Sequence, residues 1–146
     1  MFEPTRDQVR RFFCDAWRKH RESLPLMPIE ALAVDWIGRH PEYHALLERP
    51  EDALAAEFPA HAGATNPFLH LALHLSFSEQ LGIDQPPGVV AAWRTLCAAS
   101  ADEHEAAHRA IEALAHTLAQ AQRDGTPPSN ESYLQWLRAA AGRAPG

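Results

Sequence analysis

Six of the nine histidines fall in three pairs with one spacing: His40 and His44, His70 and His74, His104 and His108. Residues i and i+4 of a helix share a face. Each pair can therefore present two imidazoles to one cation, as the paired histidines of helical zinc motifs do. Imidazole donors suit zinc, iron, copper or nickel, and a carboxylate in the set tilts the choice toward zinc or iron. Glu112 follows His108 by four residues, about 40° further round a helix. It could ligate the ion or orient an imidazole that does.

A single core histidine is ordinarily structural, hydrogen-bonded to a carbonyl or carboxylate. The joint pattern is harder to explain that way. His70 and His74 continue into Phe77 and Leu81 in steps of 4, 3 and 4, tracing one packing seam. A second seam, Phe68, Ala72 and Leu75, runs on to Glu79. The order His, His, apolar, apolar recurs in His104, His108, Ile111, Ala115 and then Leu118. Ile29, Ala33 and Trp36 step on to His40 in the same manner. Uncompensated burial of a polar ring costs a few kcal/mol, roughly. A metal would compensate, and so would a network with Glu79, Glu112 and Asp84.

Di-iron, hemerythrin-type and nucleotide chemistries lack their residues. Glu105 and His108 form Glu-x-x-His once, whereas ferritin-like di-iron bundles need it twice with two further glutamates. His108-x3-Glu112 is similar to a fragment of the hemerythrin pattern, but the other histidines do not fall in that order. There is no P-loop, no GxGxxG and no GxSxG. No nucleotide or organic cofactor is thus indicated. No serine or cysteine stands in a nucleophile motif with a histidine. Trp17, Trp36, Trp93 and Trp136 sit at helical spacing expected of core residues. His20, His61 and His116 fall outside the paired pattern.

The elements that must carry these residues are helical almost throughout. "TRDQ" at 5–8 is a capping box for a first helix reaching about Glu22, with Val9, Phe12, Phe13, Ala16 and Trp17 inward. Pro28 opens a second helix with Ile29, Leu32, Ala33, Trp36 and Ile37 as its stripe, ending near Gly38. "PEYHALLE" and "PEDALAAEF" allow short turns, and "PAHAGATNP" reads as a loop. Asn66 and Pro67 begin the helix of the 70/74 pair, which stops at Gly82. "IDQPPG" connects to a helix over about Val89 to Ala99. "SADE" at 100–103 is a second capping box, starting the longest helix, and Gly125 ends it. A last helix carries Tyr133, Leu134 and Leu137 inward. The fold class is all-α: one compact helical bundle over 1–141, about five main helices plus short turns, with a frayed tail at 142–146. Alternating helix directions would bring the three pairs to one end of that bundle.

Composition bounds the setting. The chain has 146 residues, 46% of them hydrophobic, which suits a globular core. No apolar run approaches the ~20 residues of a membrane span, and the N-terminus has no secretory signature, so a cytoplasmic protein with no membrane association is expected. Cys14 and Cys97 then read as buried thiols. A net charge of −6 argues against nucleic acid as a partner. The basic residues of the first helix, Arg6, Arg10, Arg11, Arg18, Lys19 and Arg21, are diluted by acids and read as a solvated face.

"HPEYHALL", "TNPFLHLALHL", "EQLGIDQPPGV" and "QAQRDGTPP" resemble the signatures of a bacterial family of small helical proteins, the domain of unknown function number 1841. The resemblance runs from "VRRFF" to the last helix. It implies that the paired histidines belong to the family signature, with Asn66, Pro67, Glu79, Gln80, Asp84, Gln85 and Pro86. Two readings follow. One is a helical bundle that binds transition metal through paired histidines and a carboxylate, in a structural, sensing or redox role, or a hydrolytic one if a coordination position is open to water. The alternative is a non-catalytic interaction module whose His/Glu cluster is structural. Neither assigns a reaction or a protein partner, and an end-on site shared between subunits would make the protein a homo-oligomer.

Overall fold

The computed structural model describes residues 5–58 and 66–142. Most of the expected loop at 59–67, including His61, and the tail at 143–146 lie outside these residues. The described elements are α1 (Arg6–Arg21), α2 (Pro28–Gly38), a 3-10 turn (Pro41–Tyr43), α3 (His44–Leu47), α4 (Pro50–Ala55), α5 (Pro67–Ile83), α6 (Val89–Ala98), α7 (Glu103–Asp124) and α8 (Asn130–Ala141). The all-α expectation is met. Among the described residues there is no strand, and six helices have ten residues or more. No described helix is long and apolar enough to cross a membrane. The chain separates into two compact units, Met1–Leu75 and Ser76–Gly146, divided within α5.

In the first unit α1 packs on α2, α3 and α4. The expected capping box is present: Thr5 Oγ1 accepts from the Gln8 N–H at 3.1 Å, and Gln8 Oε1 accepts from the Thr5 N–H at 2.7 Å. Phe13, Ala16 and Trp17 are buried as expected, and Cys14 with them. The stripe of α2 is shifted. Ile29 and Leu32 are 40% and 38% exposed, while Glu30 is buried beside Ala33, Trp36 and Ile37. Glu30 can turn inward because Lys19 Nζ and the Met27 N–H each donate to its carboxylate at 2.8 Å. The Lys19 hydrogen bond, followed by the Met27 N–H, holds that carboxyl below the usual range.

Arg10 also departs from the expected solvated face. It is buried, and its guanidinium donates to the Ala53 and Ala56 carbonyls, both at 2.7 Å. These are orphan acceptors at the C-terminus of α4, where a cation also meets the negative end of the helix dipole. The Phe58 and Phe68 rings lie 5.4 and 5.0 Å from the same guanidinium, within cation–π range.

In the second unit α6, α7 and α8 pack on one another. Phe77, Val89, Leu96, Ile111, Leu114, Tyr133 and Leu137 are among its buried side chains. The N-terminus of α7 differs from the sequence expectation. Its N-cap is Asp102, which accepts from the Glu105 N–H at 2.7 Å. Ser100 instead donates to the Leu96 carbonyl at 2.7 Å, finishing α6. The inward face of α7 also differs from the expected seam. Ala106, Ala107, Ala110 and Ala113 are buried, whereas His108 and Leu118 are exposed. Trp136, expected in the core, is 40% exposed and stacks on His116 with ring centroids 5.0 Å apart. Gly125 ends α7 at φ 67°, the left-handed conformation that favours glycine. Tyr133 donates to Gln80 Oε1 at 2.6 Å, and burial raises its phenol pKa well above the ordinary value.

Candidate metal centre

The site in the first unit begins at the end of α2. Pro41 disfavours helical geometry at the preceding residue, so the helix stops and His40 turns back along it. The His40 ring is 2% exposed, and its Nδ1 lies 2.7 Å from the Trp36 carbonyl. A carbonyl only accepts, so Nδ1 carries the proton, and in the neutral ring Nε2 carries the lone pair.

The start of α5 supplies the other two rings. Asn66 Oδ1 accepts from the Phe68 and Leu69 N–H groups at 3.0 and 3.3 Å, the expected cap. One turn on, the i, i+4 geometry sets His70 and His74 on one face, their Nε2 atoms 3.1 Å apart. His70 Nε2 is also 3.1 Å from His40 Nε2. Three imidazole nitrogens, from two elements remote in sequence, thus converge. His74 is 0% exposed.

A ring nitrogen carries either a proton or a lone pair in its plane, never both. His70 Nε2 therefore cannot accept from one neighbour while donating to the other. In neutral rings the two contacts among these nitrogens can share one proton at most. A cation could accept a lone pair from each of the three rings. Two of the three spacings, His40–His70 and His70–His74, are close to what such an ion needs: with metal–nitrogen bonds of about 2.0–2.1 Å, nitrogens on a tetrahedral edge lie about 3.3 Å apart. The proton on His40 Nδ1, fixed by a backbone carbonyl, is the outer arrangement that leaves Nε2 available to a metal.

Aromatic rings wall the trio. Trp36 stacks on His74 with centroids 4.0 Å apart and planes 14° from parallel. Tyr43 lies nearly parallel to His40 at 5.3 Å and edge-on to His70 at 6.1 Å. Desolvation, and next the nearby Glu42 charge, push the Tyr43 phenol pKa up. Helical spacing assigns Trp36 to the core and gives Tyr43 no role. The available signal was the four-residue step from Trp36 to His40, which puts a carbonyl at one imidazole.

The remaining predicted residues lie elsewhere. His44 does not join the trio: its Nε2–H donates to the Ile37 carbonyl at 2.8 Å and its ring packs on Trp17 at 4.4 Å. In the second unit His104 and His108 face each other, ring centroids 4.4 Å apart, with nitrogens within 4.8 Å. Glu112 is exposed, its carboxylate 3.7 Å from His116 Nε2. Asp84 accepts from the Val90 N–H at 3.0 Å, ordering the entry to α6. Glu79 and Gln85 are exposed.

No curated protein and no solved structure matches the chain. Residues 5–139 match the domain of unknown function DUF1841 over nearly the whole length, and the chain belongs to that family.

Proposed function

We propose that the protein binds a divalent transition-metal ion, zinc or iron, through the Nε2 atoms of His40, His70 and His74. The observation that carries this reading is His70 Nε2 lying 3.1 Å from both His40 Nε2 and His74 Nε2, with His40 held in the Nδ1–H tautomer by the Trp36 carbonyl. The donors are neutral imidazoles, which suit these ions. His104 and His108 form a further pair of candidate ligands, with Glu112 and His44 as weaker ones by position. Free Cys14 and Cys97 accord with a reducing, cytoplasmic setting.

The test is metal analysis by mass spectrometry on protein purified without a histidine tag. The reading expects about one equivalent of zinc or iron per site, lost when His70→Ala and His74→Ala are combined. The same measurement on His104→Ala plus His108→Ala assigns or denies metal to the second pair. Full metal retention by the His70/His74 variant would reject the trio. The interaction-module reading, with a structural histidine cluster, predicts metal-free protein whose fold is indifferent to chelator.

A further inference from the structure

Trp36 touches the trio twice. Its backbone carbonyl accepts the His40 Nδ1–H at 2.7 Å. Its indole stacks on His74 at 4.0 Å, nearly parallel. The first contact sets which nitrogen of His40 holds the lone pair; the second fixes the plane of the His74 ring. A histidine ligand has little freedom once its tautomer and ring plane are set. His40 therefore takes its tautomer, and His74 its ring plane, from one residue of α2.

The same residue is itself packed on both sides. Trp36 is 8% exposed. The Arg39 guanidinium lies 4.9 Å from its ring centroid, and Arg39 is paired with Asp35 at 3.4 Å. The indole is buried against its neighbours, and a ring stacked on it is hindered from rotating away from the shared centre.

We infer that Trp36 is the positioning residue of the metal centre, orienting His40 through its carbonyl and His74 through its indole. This rests on the metal-binding reading above. It identifies Trp36 as a determinant of affinity although it supplies no ligand atom. Outer partners of this kind change metal affinity about 10–100-fold when removed.

The test uses the full chain and three probes. Zinc affinity is measured by chelator competition for the natural protein, Trp36→Phe and Trp36→Leu. Affinity should fall about 10–100-fold in Trp36→Leu, which keeps apolar bulk but not the stack, and should largely recover in Trp36→Phe, which keeps a ring. Cobalt(II) titration followed by tryptophan fluorescence is the second probe. Quenching should be strong in the natural protein and mostly lost in Trp36→Phe, while cobalt still binds by absorbance. Nitrogen-15 NMR of the metal-free protein is the third, and should show His40 as the Nδ1–H tautomer. Equal zinc affinity in all three proteins would overturn the inference while leaving metal binding intact. Unchanged cobalt quenching in Trp36→Phe, or an Nε2–H tautomer at His40, would overturn it as well, even if Trp36→Leu does not fold. Absence of metal binding in the natural protein would instead refute the reading beneath it.

Discussion

Replacing His74 separates ligation from packing. Its ring is fully buried and stacked on Trp36. His74→Ala opens a cavity beside the indole, and large-to-small changes of this kind cost about 2–5 kcal/mol. For a chain of this size about 2–4 °C is lost per kcal/mol, so the metal-free variant should melt about 5–15 °C lower. His74→Phe keeps a ring of similar shape on the indole but has no nitrogen. Its metal-free form should melt within a few degrees of the natural protein, because the stack survives and a buried polar ring has been removed. The two proteins should part when zinc is added. An ion at a hundredfold excess over Kd stabilises the folded state by about 2.7 kcal/mol, which is about 5–10 °C on the same scale. The natural protein should show that rise, and His74→Phe should show little of it. Differential scanning calorimetry with and without chelator reads all four states. An equal zinc-induced rise in His74→Phe would refute the assignment of Nε2 as a ligand atom.

Three further outcomes follow from the helices that hold the site. Arg10→Met should destabilise the fold by about 3 kcal/mol or more in urea unfolding, because it strips charged donors from carbonyls ending α4; a loss under 1 kcal/mol, roughly the worth of a surface pair, would deny it that role. The depressed Glu30 carboxyl implies stability that is present above its ordinary value of 4.5 and lost as pH falls through its lower folded value. Glu30→Gln should therefore flatten the unfolding curve in that acid range, and an unchanged acid limb would count against the Lys19 contact. Gly125→Ala meets open space but keeps φ 67°, so it should cost about 1 kcal/mol from backbone strain alone; no loss would mean that the end of α7 readjusts.

What could be read from the sequence was mostly local. The Thr5–Gln8 box, the Asn66 cap and the Gly125 stop depend on neighbours within three residues, and they stand as expected. The pairing of His70 with His74, and the step that brings His40 to an apolar seam, follow from helical period alone. Partners outside each motif decided the rest. Ser100 looked like a cap, but the end of α6 takes its hydroxyl and leaves the role to Asp102. Periodicity gave Ile29 and Leu32 to the core of α2, while Lys19, eleven residues away, lets Glu30 take the inward place. His44 shares the i, i+4 spacing with His40. Its α2 partner, the Ile37 carbonyl, takes the Nε2 proton. Spacing says which rings can share a face. Which nitrogen each ring offers depends on carbonyls that no motif encodes.

Metal content of tag-free protein, expressed in metal-replete cells and measured per chain by mass spectrometry, tests the central proposal most directly. Stoichiometric zinc or iron, removed by the paired His70→Ala and His74→Ala substitutions, is the predicted result. Metal-free protein that also takes up neither ion on titration would contradict it.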